Sequence, residues 1–149
     1  MASQEKLDKA YITCAYAMAE LSSAKRKQVG AILVKGGIIG EGYNGTPSGF
    51  DNCCEREIDV VYKINTPGKV LETLPEVLHA ESNAIAKLAC STNSSEGATL
   101  YVTASPCFDC AKLIIQAKIV RVVYDEEYRL TDGIDLLRKA GIQVDKLNG

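Results

Sequence analysis

Ser105-Pro106-Cys107-Phe108-Asp109-Cys110 lies between two short apolar runs, residues 98–103 and 119–124, and opens the nearly all-apolar stretch 107–117 with Leu113, Ile114 and Ile115. The two runs have the length and residue types of buried strands, and the stretch between them is long enough for a helix. Together these form a strand–helix–strand unit. It sets Cys107 just beyond a strand's C-terminal end, where open α/β sheets bind ligands. Pro106 suits the first helical position, because its missing N–H would be unpaired there anyway. Two thiols three residues apart then fall on one side of the first turn, where the positive helix end favours thiolate over thiol.

Outward from this unit, residues 79–90 are alanine-rich (Ala80, Ala84, Ala86, Ala89) with Ile85 and Leu88, a helix able to pack close against a sheet. Residues 29–34 and 38–43 read as a hairpin turned at Lys35-Gly36-Gly37. Ser3 caps a first helix whose Leu7, Tyr11, Cys14, Met18 and Leu21 form an apolar stripe, with Cys14 as core packing. Residues 42–49 hold three glycines and a proline and predict an irregular loop. Residues 50–75 have no clear period, only an acidic patch (Asp51, Glu55, Glu57, Asp59) and a short apolar run, and predict a functional loop. Thr131 caps a last helix to Ala140, with Arg138 and Lys139 in its last turn, Gly141 behind it and a short strand at 142–144. The sum is one α/β domain over residues 1–149, a three-layer α/β/α arrangement with about five strands and no internal repeat or linker.

The chain's only histidine, His79, stands in His79-Ala80-Glu81 at the start of the alanine-rich helix. Two thiolates and one imidazole make three ligands for a tetrahedral zinc and leave a fourth position open for water, as catalytic sites do and closed structural sites do not. Zinc brings the pKa of bound water from about 16 towards roughly 7. Glu81, a carboxylate beside the ligands but not one of them, is suited to move that water's proton.

At 149 residues with 46% hydrophobic and 24% charged content, the chain has ordinary globular composition. No apolar run reaches the ~18 residues of a membrane span, and Met1-Ala2-Ser3-Gln4-Glu5-Lys6 lacks the apolar core of a secretion signal. Six cysteines without such a signal favour reduced thiols and a cytoplasmic setting. A net charge of −2 argues against a nucleic-acid polymer as substrate, since a polyanion needs a broad basic face. The positive charge is local instead. Residues 21–35 hold Lys25, Arg26, Lys27 and Lys35 and no acid, enough to meet one phosphate.

The pair H-x-E and P-C-x-x-C is the signature of zinc nucleobase deaminases. The chain resembles the cytidine and deoxycytidylate deaminase superfamily from about Tyr11 to Tyr128, and within it the deoxycytidylate branch. The resemblance is carried by Gln28-Val29-Gly30-Ala31, by Gly42-Tyr43-Asn44-Gly45-Thr46-Pro47-Ser48-Gly49, by His79 to Ile85, and by Pro106-Cys107-Phe108-Asp109-Cys110-Ala111-Lys112. It implies the cytidine-deaminase-like fold with a mixed sheet. It implies one catalytic Zn2+ on His79, Cys107 and Cys110, and hydrolysis of dCMP to dUMP and ammonia, feeding thymidylate synthesis. Glu81 would protonate N3 and then the departing amine. By the same resemblance Asn44 contacts the deoxyribose, the backbone near Ala80 and Ser105 holds the pyrimidine edge, and Ser22 and Arg26, at the end of the first helix, meet the phosphate with Tyr128.

The family also has members in which dCTP activates and dTTP inhibits within a homohexamer. The corresponding nucleotide site here would involve Gly42, Tyr43, Gly45 and Asp51, with acidic neighbours able to help hold a Mg2+ ion carried by the triphosphate. A structural second zinc would need Cys53, Cys54 and further thiols, and free thiols are the simpler reading. The alternatives are a cytidine deaminase, which would not need the basic cluster; a tRNA adenosine deaminase, which would need a basic surface; and a non-catalytic zinc-stabilised module, which would close the fourth coordination position.

Overall fold

The computed structural model describes residues 1–63 and 66–149. Five strands form the central sheet: β1 (Gly30–Val34), β2 (Ile38–Tyr43), β5 (Thr99–Ala104), β6 (Arg121–Glu126) and β7 (Gln143–Lys146), in the order β2-β1-β5-β6-β7. β1 is antiparallel to β2 and β5, whereas β5, β6 and β7 run parallel, so the sheet is mixed. The parallel half is built by helical crossovers, α3 (Phe108–Gln116) between β5 and β6 and α4 (Asp132–Lys139) between β6 and β7.

Strand alternation sorts the side chains into two cores. Leu33, Leu100, Val102 and Val122 face α2 (Ala80–Ala89), α3 and α4, meeting Ala84, Leu88, Ile114, Ile134 and Leu137. Ile32, Tyr101 and Val123 face the other way, onto α1 (Gln4–Ala19). The result is the expected three layers.

α1 starts as the sequence predicts, with the Ser3 hydroxyl accepting from the Lys6 N–H at 3.3 Å. Its seam differs. Ile12, Ala15 and Ala19 are the buried residues, Leu7, Tyr11, Cys14 and Met18 flank them half-buried, and Leu21 lies beyond the helix and exposed. The cause is close approach: a Cβ on Gly30 would fall 1.8 Å from the Ala15 carbonyl oxygen, so only small residues fit at the contact.

Two further expectations are corrected. Residues 50–75 are not one long loop: β3 (Glu55–Lys63) and β4 (Thr66–Thr73) form a separate antiparallel hairpin with Ile58 opposite Val70 and Val60 opposite Gly68. Pro106 is not at the first helical position. Cys107 is the N-cap of α3, with ψ 171°, so the buried Pro106 precedes the cap. Thr131 does sit at the N-cap of α4, but its side chain makes no capping hydrogen bond.

Candidate active site

Two helix starts converge on one point. His79 is the N-cap of α2 and Cys107 the N-cap of α3, both with extended backbone, and neither side chain makes a capping hydrogen bond. The side chains meet each other instead. His79 Nδ1 lies 3.3 Å from Cys110 Sγ and 3.4 Å from Cys107 Sγ. The three ligand atoms all fall within 4.8 Å of one another, and among the described residues this is the one such His/Cys/carboxylate group.

Missing side chains allow the convergence. A Cβ on Gly42 of β2 would lie 2.5 Å from the Ala80 carbonyl oxygen, so glycine lets the first turn of α2 settle on the sheet. Gly133, in the first turn of α4, plays the same part against the Pro106–Cys107 peptide. Asn83 Nδ2 donates to the Tyr43 carbonyl at 2.9 Å and fixes α2 to the end of β2.

The thiols share a proton unequally. Hydrogen bonds from Cys110 and His79 push Cys107 down to about 4, while its partner Cys110 is raised by the hydrogen bond to Cys107 and by burial. His79 is raised chiefly by its hydrogen bond to Cys107, against the effect of burial. Two sulfurs, one already biased to thiolate, and an imidazole nitrogen at these separations fit the donor set of zinc with one position open. Both helix N-termini add positive potential to hold the sulfur charge. Glu81, the second residue of α2, is only 4% exposed, and burial raises its pKa against the opposing pull of His79 and of a hydrogen bond with Cys110.

These groups open onto a cavity of about 340 Å³, within the range for small-molecule sites. Of the residues expected at a site, His79, Ala80, Glu81, Cys107, Ser105, Asn44, Arg26 and Tyr128 line it together. Asn44 is partly committed: its Oδ1 accepts from Val29 N–H at 2.8 Å and its Nδ2 donates to Lys27 C=O at 2.7 Å. The Ser105 N–H donates to Glu126 C=O and its hydroxyl accepts from Tyr128 N–H at 2.6 Å, which fixes the loop after β6.

Ser22 is not among the lining residues. It is buried behind them, its hydroxyl donating to Asn44 C=O at 2.7 Å and accepting from Ala24 N–H. Ser22 and Arg26 also lie in the irregular segment after α1, not at the end of the helix.

The residues expected at a nucleotide effector site are mostly structural fastenings here. Gly42 is buried under α2. Tyr43 offers its carbonyl to Asn83. Gly45 exchanges backbone hydrogen bonds with Leu78. Asp51 accepts from Cys53 N–H and, at its carbonyl, from Thr46. Glu57 pairs with Lys69 on the hairpin, and Glu55 turns into the cavity wall. Sequence reasoning missed Glu55, Thr73 and Gly133. Only the acidic patch signalled Glu55, and nothing local signalled the other two.

The zinc-binding region of cytidine and deoxycytidylate deaminases matches residues 5–126. The chain is 36% identical over 162 residues to the deoxycytidylate deaminase of Enterobacteria phage T4, covering 87% of this chain and 84% of that one. It is 38% identical over 128 residues to the deoxycytidylate deaminase of Mycobacterium phage D29, covering 84% and 98%. Among solved structures, the dCMP deaminase of cyanophage S-TIM5 in complex with dCMP and dUMP superposes with a TM-score of 0.85 at 45% identity, covering 97% of this chain and 99% of that one.

Proposed function

From the premise that the chain belongs to the cytidine and deoxycytidylate deaminase zinc-binding family, we propose that it hydrolyses dCMP to dUMP and ammonia. The observation that carries this reading is one cavity lined by His79 and Cys107, with Cys110 grouped behind them, by the buried Glu81 and by the basic Arg26 and Lys27. Zinc held by His79, Cys107 and Cys110 would supply an activated water near neutral pH.

The chain's own groups do the rest. Glu81 takes one proton of the attacking water and passes it to N3 of the cytosine. It then takes the second from the new C4 hydroxyl and gives it to the amine, which leaves as ammonia while the C4 carbonyl forms. Ala80 N–H belongs to the first turn of α2, has no intrahelical partner and is available to the pyrimidine edge. Ser105 has spent its N–H and hydroxyl on the 126–128 loop, so its carbonyl is the group left for the substrate amine. Asn44 keeps one amide N–H and a lone pair for the deoxyribose. Arg26 meets the phosphate with a fork of donors that suits it, and Tyr128 stands on the same wall.

The reading extends to regulation by dCTP and dTTP, with Mg2+ accompanying the triphosphate, in a homohexamer. A cytoplasmic setting agrees with six free cysteines, and no helix is long and apolar enough to cross a membrane among the described residues. The test is ammonia release from dCMP, CMP, deoxycytidine and cytosine, run side by side on zinc-loaded protein. Preference for dCMP is expected. Equal turnover of deoxycytidine, or none of dCMP, would overturn the reading.

A further inference from the structure

Glu55 is a buried acid, 8% exposed, on the wall of the same cavity as Arg26 and Thr73. Its Oε1 accepts two consecutive backbone N–H groups, from Lys25 at 2.8 Å and Arg26 at 3.2 Å. Thr73 stands directly opposite Glu55 in the hairpin register, and its Oγ1 accepts from Arg26 Nη1 at 3.1 Å. The two ends of the hairpin thus grip Arg26 twice, by its backbone and by its guanidinium. Among the described residues no lysine or arginine side chain forms an ion pair with Glu55, and the donors to its carboxylate are two backbone N–H groups.

We propose that Glu55 both positions the basic 25–27 loop and limits the cavity to nucleotides with a single phosphate. The proposal rests on the dCMP reading and adds a specificity residue to it. One phosphate finds Arg26, while the Lys27 ammonium beside it already pairs with Glu126 at 2.6 Å. A second would extend an anionic chain along a wall that already carries a fixed carboxylate, and like charges at close range in a partly desolvated site repel. Discrimination of this kind comes from a repulsive element, not from tighter binding of the preferred ligand.

The experiment compares dCMP with dCDP in the zinc-loaded protein, by kcat/KM and by the power of dCDP to displace dCMP. In the wild type, dCDP should displace dCMP at least tenfold more weakly than dCMP itself. Glu55→Gln keeps an oxygen for the two N–H groups but removes the charge, and should narrow the dCMP:dCDP preference at least tenfold, mainly through dCDP. Glu55→Asp keeps the charge on a shorter reach, and should raise KM for both ligands while keeping the preference. A residue that merely supported the fold would lower both substrates together.

An unchanged ratio in Glu55→Gln overturns the proposal. If that variant does not fold, equal displacement by dCDP and dCMP in the wild type overturns it as well. Binding of dCMP without ammonia release would sink the deamination reading and leave the Glu55 test intact; release with an unaltered ratio would do the reverse. No binding of dCMP removes both.

Discussion

Gly133 and Cys107 are in backbone contact: a Cβ on Gly133 would lie 2.8 Å from the Cys107 carbonyl oxygen and 2.3 Å from that of Pro106. The first turn of α4 therefore sets where the metal-ligand turn can sit. Gly133→Ala must displace one or the other, and overpacking of this kind costs about 1–3 kcal/mol. The variant should melt lower and bind zinc at least tenfold more weakly, read by thermal unfolding and by competition with a chelator of known affinity. Wild-type zinc affinity in a folded Gly133→Ala protein would refute the contact's importance.

Glu81→Ala should retain the fold and the zinc but lose ~10²–10⁴-fold in turnover, towards the upper end because one carboxylate serves several proton transfers. Zinc content by metal analysis beside ammonia release separates this from metal loss. Near-normal turnover in the zinc-loaded variant would remove Glu81 from the chemistry.

Arg26→Ala should harm dCMP far more than deoxycytidine. Losing a hydrogen bond to a charged group costs on the order of 1.5–3 kcal/mol, or at least tenfold in kcat/KM. Because Arg26 also bonds Thr73, some loss common to both substrates is expected. An equal fall for both would mean that Arg26 supports the wall without meeting phosphate.

Asp8 joins α1 to the sheet. It accepts from Arg121 through two bonds of 2.9 Å and from Tyr101 at 2.7 Å. Burial alone would raise its pKa, but the hydrogen bonds from Arg121, Tyr101 and Gln4 and the charge of Arg121 together lower it from 3.8 to about 2. A carboxyl depressed in the folded state stabilises fully above its unfolded pKa, and the stabilisation is lost as pH falls through ~4 to ~2. Asp8→Asn should cost about 2 kcal/mol at pH 7, and its deficit against the wild type should shrink as pH falls through that window. Urea unfolding of both proteins across the range measures it, and the difference cancels any loss of metal common to the two. A deficit that stays constant to pH 2 contradicts the pairing.

Regulation is tested by dCMP kinetics at subsaturating substrate with and without dCTP and dTTP, beside the mass in solution. A sigmoidal response made hyperbolic by dCTP, depressed by dTTP, and a hexameric mass are expected. Insensitivity to both effectors in a monomer would remove the regulatory half of the proposed function.

Much of this arrangement could be read from the chain because its signals are local. Short apolar segments mark the five core strands, β-branched ones at β1 and β2, and the pattern of His79, Glu81, Cys107 and Cys110 marks the groups that the fold brings together. The β3–β4 hairpin was illegible because it packs on itself. Residues 57–61 do alternate, Ile58 and Val60 half-buried between the exposed Glu57, Asp59 and Val61, but the run is short and shallowly buried, and Pro67 with Gly68 in β4 reads as a break. The buried face of α1 was misread because close packing selected Ala15 and Ala19 over the larger residues beside them. Gly133 and Glu55 act only through segments distant in sequence, and a tertiary approach leaves no mark in a window of neighbouring residues.

The two ligands that occupy helix caps without capping them, His79 and Cys107, are 28 residues apart in the chain. An ion bound to both closes a loop of that length and removes conformations from the unfolded chain, as a covalent cross-link does. Chemistry and topology are therefore tied to one atom. The protein that loses its metal loses a nucleophile's activator and, in the same event, the knot that keeps α2 and α3 side by side.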